Sequence, residues 1–211
     1  MNDFMKAIQF RHACKLFDEK RKIPDDIFRD ILEAGRLSPS SFGLEPWHFL
    51  VIQNEAVKAV LRSPCWNQPQ VTTCSHFVVL LVRIPQEFER GSAYLDDAFA
   101  RRAPDPEKRG AIKEAFDNFL KKDLKPDVLN WGKMQTYIAG ANMMTAAAFA
   151  GVDSCPIEGF NFDELTKTLA QSTSVFDKTR HEIAFCIAFG YRAQSQGTRI
   201  RWSIEKVASF I

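Results

Sequence analysis

Two clusters of basic residues stand near opposite ends of the chain: Arg11-His12-Ala13-Cys14-Lys15 and Thr198-Arg199-Ile200-Arg201-Trp202. Apart, each reads as a solvated surface. Brought together, Arg11, Lys15, Arg199 and Arg201 would form a phosphate pocket, the guanidinium forks giving bidentate contacts and the lysine a point charge. The chain carries neither GxGxxG nor GxxxxGK followed by Ser or Thr. A phosphate held here would therefore be held by side chains and not by a glycine-rich backbone cradle.

A second candidate is Pro156-Ile157-Glu158-Gly159-Phe160, which follows the turn Gly151-Val152-Asp153-Ser154-Cys155. Glycines on either side of a short apolar run predict an extended segment whose backbone lies close to something flat. Glu158, in apolar company, is the candidate acidic residue; the bland alternative is an exposed or salt-bridged glutamate. The four histidines, His12, His48, His76 and His181, form no HxxxH or HExxH pair, so no metal site is expected. Ser40 and Ser41 lack the glycine frame of a nucleophile elbow, and no local signature supports a cysteine nucleophile.

Five cysteines without a CxxC pair argue against a disulfide framework or a zinc cage and predict reduced thiols in a cytoplasmic setting. At 211 residues, 45% hydrophobic and 26% charged, the chain suits one globular domain. A net charge of +2 is too small to imply a nucleic-acid partner, though local clustering can still hold a small anion. The segment MNDFMKAIQF has no long apolar run, so no secretory signal is expected in it. The longest apolar candidate, 137–152, is interrupted by Asn142 and Thr145 and falls short of the roughly 20 residues a bilayer needs, so no membrane span is expected.

The elements that must position these residues follow from periodicity. Phe4, Met5 and Ile8 predict a first helix from Asp3 to about Phe10, with Asp3 as its cap. Pro24 opens a second, with Asp25 and Asp26 in its first turn, a buried stripe of Ile27, Phe28, Ile31, Leu32 and Ala34, and Ser38-Pro39 as its stop. WHFLVIQ at 47–53, HFVVLLVR at 76–83 and EIAFCIAFG at 182–190 each predict a strand buried on both faces. Helical patterns fall at about 55–62, 86–102, 107–122 and 131–151. Helices covering such strands give an α+β or α/β layer architecture and not a β-sandwich. The last helix is apolar nearly all round and rich in alanine and glycine, which suits a central core helix or an oligomer interface equally.

RHACKLFD, LSPSSFGLEPWHF, WNQPQ before the HFVVLL strand, GVDSCPIEGF, and FGYRAQ with TRIRW occur in that order over nearly the whole chain. Together they resemble the FMN-dependent nitroreductase family, especially the oxygen-insensitive NAD(P)H nitroreductases of the enterobacterial minor type and the ε-proteobacterial flavin nitroreductases. The resemblance implies a single α+β FMN-binding domain over 1–211 with a helical excursion at about 86–124. It implies a central, mostly antiparallel sheet flanked by helices, and an intertwined homodimer with FMN at the subunit interface. By that likeness Arg11, His12, Ala13 and Lys15 reach the ribityl, phosphate and ring edge, and Arg199 with Arg201 closes on the phosphate. Pro39, Ser40, Ser41 and Gly43 would come from the partner subunit. Asn67 and Gln70 would meet the pyrimidine edge, and Pro156, Ile157, Glu158 and Gly159 would cover one ring face. Phe116 would gate the substrate channel, and Glu158 could orient nicotinamide or acceptor.

The implied activity is two-electron transfer from NAD(P)H through FMN to nitroaromatics, quinones or similar flat acceptors by a ping-pong mechanism. Flavins, pteridines or enones are alternative acceptors, and a non-catalytic flavin- or anion-binding module is the rival of another class. Four positions depart from the enterobacterial pattern. Ala13 replaces a Ser or Thr, Gln70 a lysine near flavin N1 and O2, Gly43 an asparagine, and Glu45 a glutamine.

Overall fold

The computed structural model describes residues 2–124 and 127–211. Four antiparallel strands make one sheet in the order β1-β2-β4-β3, from β1 Trp47–Ile52, β2 His76–Arg83, β3 Asp153–Ile157 and β4 His181–Gly190. Around it run α1 Asp3–Phe10, α2 Asp25–Arg36, α3 Glu55–Arg62, α4 Gln70–Thr73, α5 Ala93–Arg102, α6 Pro106–Phe119, α7 Val128–Phe149, α8 Phe162–Ser172 and α9 Ile204–Val207. The architecture is α+β, with helices on both faces of an antiparallel sheet.

Side-chain alternation sorts β2 onto two cores. Phe77, Val79 and Leu81 join Leu61, Leu165 and Leu169 beneath α3 and α8, while Val78 and Leu80 join Phe28, Ile31, Met143 and Ala147 beneath α2 and α7. A bulge at Leu80/Leu81 shifts the register with β4. Of the three strands expected to be buried on both faces, the two central ones, β2 and β4, are largely so. β1 is an edge of the sheet, with His48 exposed and its other residues buried or half-buried.

The element starts and stops repay comparison with the pattern. Asn2, not Asp3, caps α1: its side chain accepts from the Met5 N–H, and Asp3 sits in the first turn, where its charge suits the helix end. In α2 the buried stripe is Phe28, Ile31 and Gly35, with Ile27, Leu32 and Ala34 at its half-buried margin. The expected 86–102 helix is two pieces, a 3₁₀ turn Pro85–Phe88 and then α5, separated where Gly91 takes φ 88°. α8 has no counterpart among the helices expected from periodicity. Its Leu165 and Leu169 give one apolar stripe under a charged surface, a pattern too short to stand out against the surrounding loops.

The helix expected at 131–151 is α7, and it serves the core on one side only. Gly132, Thr136, Ala139, Gly140, Met143 and Ala147 are buried, and the absent side chain at Gly140 lets the Phe185 ring approach the helix backbone. Met134 and Ile138, on another side, are 58% and 41% exposed. A third, smaller core closes the excursion. Leu44, Phe88, Tyr94, Phe99, Phe116 and Trp131 pack together, so α5 and α6 are tied to the start of α7 by aromatic contacts.

Candidate functional site

The chain ends meet. After β4 the backbone turns back along residues 16–18: Asp18 N–H donates to the Tyr191 carbonyl at 2.8 Å and Ala193 N–H to the Leu16 carbonyl at 3.1 Å. This antiparallel return carries the second basic cluster to the first. Arg199 Nη2 donates to the Gln9 carbonyl at 3.1 Å and also to the Arg11 carbonyl. Arg11, His12, Ala13, Gln196, Arg199 and Arg201 line one groove of about 390 Å³.

The groove is electrostatically unbalanced. Burial first, and then the charges of Arg199 and Arg201, lower the Arg11 pKa; cations held this close favour an anion between them. The neighbouring carboxylate is already engaged. Asp153 takes a two-point ion pair from Arg192, at 2.5 Å to Oδ1 and 3.0 Å to Oδ2, together with the Arg192 backbone N–H at 2.9 Å. His12 Nδ1 stands 3.6 Å from Asp153 Oδ1 and is a buried atom with no hydrogen-bond partner among the described residues. Burial and Arg192 lower the His12 pKa, Asp153 opposing them, so at neutral pH the ring is neutral, with one nitrogen able to donate.

From this groove the surface continues along β3. Ala13 pairs in parallel with Ser154, and Cys14 N–H donates to the Ser154 carbonyl at 3.1 Å, so residues 11–15 lie beside the outer edge of that strand. Lys15 Nζ reaches Cys155 Sγ at 3.6 Å, and Gln70 Nε2 approaches the same sulfur at 3.8 Å. Burial pushes the Cys155 thiol up, Lys15 partly offsetting it; the thiol is a packing group and not a nucleophile. Gln70 is 2% exposed and donates to Gln68 Oε1 at 2.7 Å.

The predicted extended segment Pro156–Gly159 is the end of β3 and the turn after it. WNQPQ lies against it. Gln68 Nε2 donates to the Gly159 carbonyl at 2.7 Å, and Asn161 N–H to the Pro64 carbonyl at 2.8 Å. A Cβ added at Gly159 would come within 2.6 Å of the Trp66 ring, so this turn needs glycine. Trp66 and Asn67 take φ of 53° and 54°, and two successive non-glycine residues in the left-handed region hold about 1–3 kcal/mol of strain each. Trp66 nevertheless leaves its indole 67% exposed. Trp66 and Gln68 carry no assigned role in the sequence alone; an aromatic and an amide flanking Asn67 are the available signal.

The loop 38–45 lies elsewhere. Ser38 is tied to α7 through Asn142 at 2.8 Å, and Ser41 N–H donates to Gln135 Oε1 at 2.9 Å. Ser40 Oγ accepts from the Glu45 N–H at 2.9 Å, while Pro39 remains exposed. Phe42, Gly43 and Glu45 all take positive φ. At Gly43 the φ of 61° suits glycine, and an added Cβ would also displace the Arg102 guanidinium. These hydrogen bonds run to α7 and within the loop, not to the groove of Arg11.

Phe116 is buried in the third core. Its ring is 1% exposed, wedged among Phe42, Phe99, Phe119 and Trp131. In this chain the ring packs within the excursion, and Phe119 is its more exposed neighbour. Among the described residues no His, Cys, Asp or Glu group suits a metal ion, and no helix is long and apolar enough to cross a membrane.

A sequence model described as the nitroreductase family matches residues 8–191. The Bacillus subtilis protein YfkO, provisionally named an NAD(P)H nitroreductase, is 39% identical over 215 residues, covering 98% of this chain and 96% of its own. Among solved structures, a nitroreductase-like protein of Streptococcus mutans superposes with a TM-score of 0.86 at 21% identity, covering 100% of this chain and 99% of its own. A provisionally named nitroreductase of Exiguobacterium sibiricum, solved in complex with FMN, gives 0.80 at 22% identity, covering 100% and 98%. At these identities the two structures speak for the shared fold.

Proposed function

The chain belongs to the nitroreductase family, and on that premise we propose that it is an FMN-dependent oxidoreductase carrying two electrons from NAD(P)H to flat acceptors such as nitroaromatics or quinones. The observation that supports this most is the meeting of Arg11, Arg199 and Arg201 in one groove beside the Pro156–Gly159 turn's strand. A flavin mononucleotide needs a cationic phosphate pocket, a flat slot and hydrogen-bond donors at the ring edge. The residues fit: three guanidinium groups in the groove, the unpartnered His12 Nδ1, and Lys15 and Gln70 farther along the same edge.

Bound there, FMN supplies hydride chemistry that the side chains cannot. The chain's own residues orient and hold charge. Arg11, Arg199 and Arg201 would bind the phosphate, Lys15 and Gln70 would face the ring edge with Asn67, and Pro156 to Gly159 would cover one ring face. One open slot admits nicotinamide and acceptor in turn, which is the basis for ping-pong kinetics.

Pro39, Ser40, Ser41 and Gly43 complete the site from a partner subunit in this reading. Two observations support a homodimer. Met134 and Ile138 make an exposed apolar side of α7, next to the loop that Asn142 and Gln135 hold. The chain end is extended and apolar, with Ile200, Trp202 and Phe210 exposed by 85%, 79% and 99%, more than a lone surface leaves bare without cause.

The test is direct. Purified protein is expected to be yellow and to bleach anaerobically on addition of NADPH or NADH, with colour restored by a nitroaromatic or quinone. Bound flavin that neither nicotinamide reduces would overturn the proposal and leave a binding module.

A further inference from the structure

Tyr137, on α7, donates its phenolic hydrogen to Glu158 Oε1 at 2.6 Å. The ring is held by stacking on Phe185, with centroids 4.2 Å apart and planes 16° from parallel, so the hydroxyl has a fixed place from which to donate. Burial, and then the Glu158 carboxylate, push the phenol pKa well above its ordinary value; the hydroxyl stays a donor at any physiological pH. The carboxylate is thereby aimed at the helix.

This direction matters for what Glu158 can do. Resting on the flavin reading above, we propose that Tyr137 is a positioning residue that turns the Glu158 carboxylate onto α7, so that the ring-facing side of Pro156–Gly159 presents backbone and not a negative charge. A reduced flavin carries negative charge on its ring, and a free carboxylate nearby opposes that charge. Gly159 is pinned separately by Gln68, so the turn has two ties: one on its backbone, one on its only charged side chain. Glu158 therefore acts through its peptide, and its side chain is a latch.

The experiment reads the flavin midpoint potential in reconstituted holoprotein, alongside FMN affinity. Tyr137→Phe should shift the potential negative, because the carboxylate is released, and the double variant Tyr137→Phe with Glu158→Gln should return it to the wild-type value. An unchanged potential in Tyr137→Phe overturns the proposal. So does a shift that persists in the double variant, since a merely structural effect would not be rescued by removing charge. Should Tyr137→Phe fail to retain FMN, Glu158→Gln alone decides: its amide oxygen still accepts from the phenol, so a potential close to wild type is expected, and a marked positive shift shows a carboxylate that faced the ring all along. Wild-type protein that takes up no FMN overturns the flavin reading itself, a result distinct from each of these.

Discussion

The side-chain amide of Gln68 donates to the carbonyl of Gly159 at 2.7 Å, joining residues 91 positions apart. The same nitrogen donates to the Cys65 carbonyl at 3.1 Å, and the amide oxygen accepts from Gln70 at 2.7 Å. Both amide hydrogens of Gln68 and one lone pair of its oxygen are used, so it ties the loop before β2 to the turn after β3. Gln68→Leu leaves the half-buried Gly159 carbonyl without this donor and should lower stability by about 1 kcal/mol. It should also weaken FMN binding. Urea unfolding and flavin titration check both, and a variant indistinguishable from wild type in each would remove Gln68 from the site.

Charge reversal at both Arg199 and Arg201 should release FMN with a small loss of stability, because both residues lie outside the cores and the long-range bonds given up are Arg199's to the Gln9 and Arg11 carbonyls. Absorbance of the desalted protein reports bound flavin. Full retention would mean that the phosphate lies elsewhere.

Gln70→Lys should raise the flavin midpoint potential, since a cation stabilises an anionic reduced ring better than a neutral amide does. The side chain it replaces is 2% exposed and stands beside Cys155, which Lys15 also reaches. A potential that falls or stays put in the variant contradicts the assignment of Gln70 to the ring edge.

Gly140→Ala places a methyl group against the Phe185 ring at the centre of the α7–sheet contact. Overpacking of this kind costs about 1–3 kcal/mol. Thermal unfolding should register it, and an unchanged transition would show that Phe185 can move aside freely.

Stability should fall as the solution is acidified. Burial lowers the pKa of both His76 and His181 to about 4, whereas an unfolded histidine titrates near about 6.5. The folded state prefers the neutral rings, so their contribution is complete above about 6.5 and is lost as pH falls from there through about 4. His76, stacked 3.8 Å from Phe28 and bonded to Gln53 at 2.6 Å, should dominate. Urea midpoints across that range should drop for the wild type and drop less steeply for His76→Gln; equal slopes would assign the acid sensitivity to other groups.

Much of the frame was legible because local periodicity reports burial directly. WHFLVIQ, HFVVLLVR and EIAFCIAFG mark three strands to within a residue or so, and α3 falls where its apolar spacing places it. The errors have local causes as well. Gly91 breaks a continuous helical pattern by its left-handed φ, and α8 hides because only two of its residues are fully buried. β1 was expected to be covered on both faces, yet strand position in a sheet depends on the partners available and not on the strand's own composition.

The sequence by itself determined three of the four strands, most of the longer helices, the basic clusters and the family. Tertiary structure decided which of those residues meet. Arg199 reaches Arg11 across 188 positions, Gln68 reaches Gly159 across 91, and Tyr137 takes the carboxylate of Glu158. Phe116, too, has its neighbours chosen by the fold, at the centre of an aromatic core. Periodicity carries information only over the few residues of a turn or strand. A hydrogen bond between distant side chains is chosen by how the sheet, α7 and the returning chain end stack, and that choice exists only once the chain has folded.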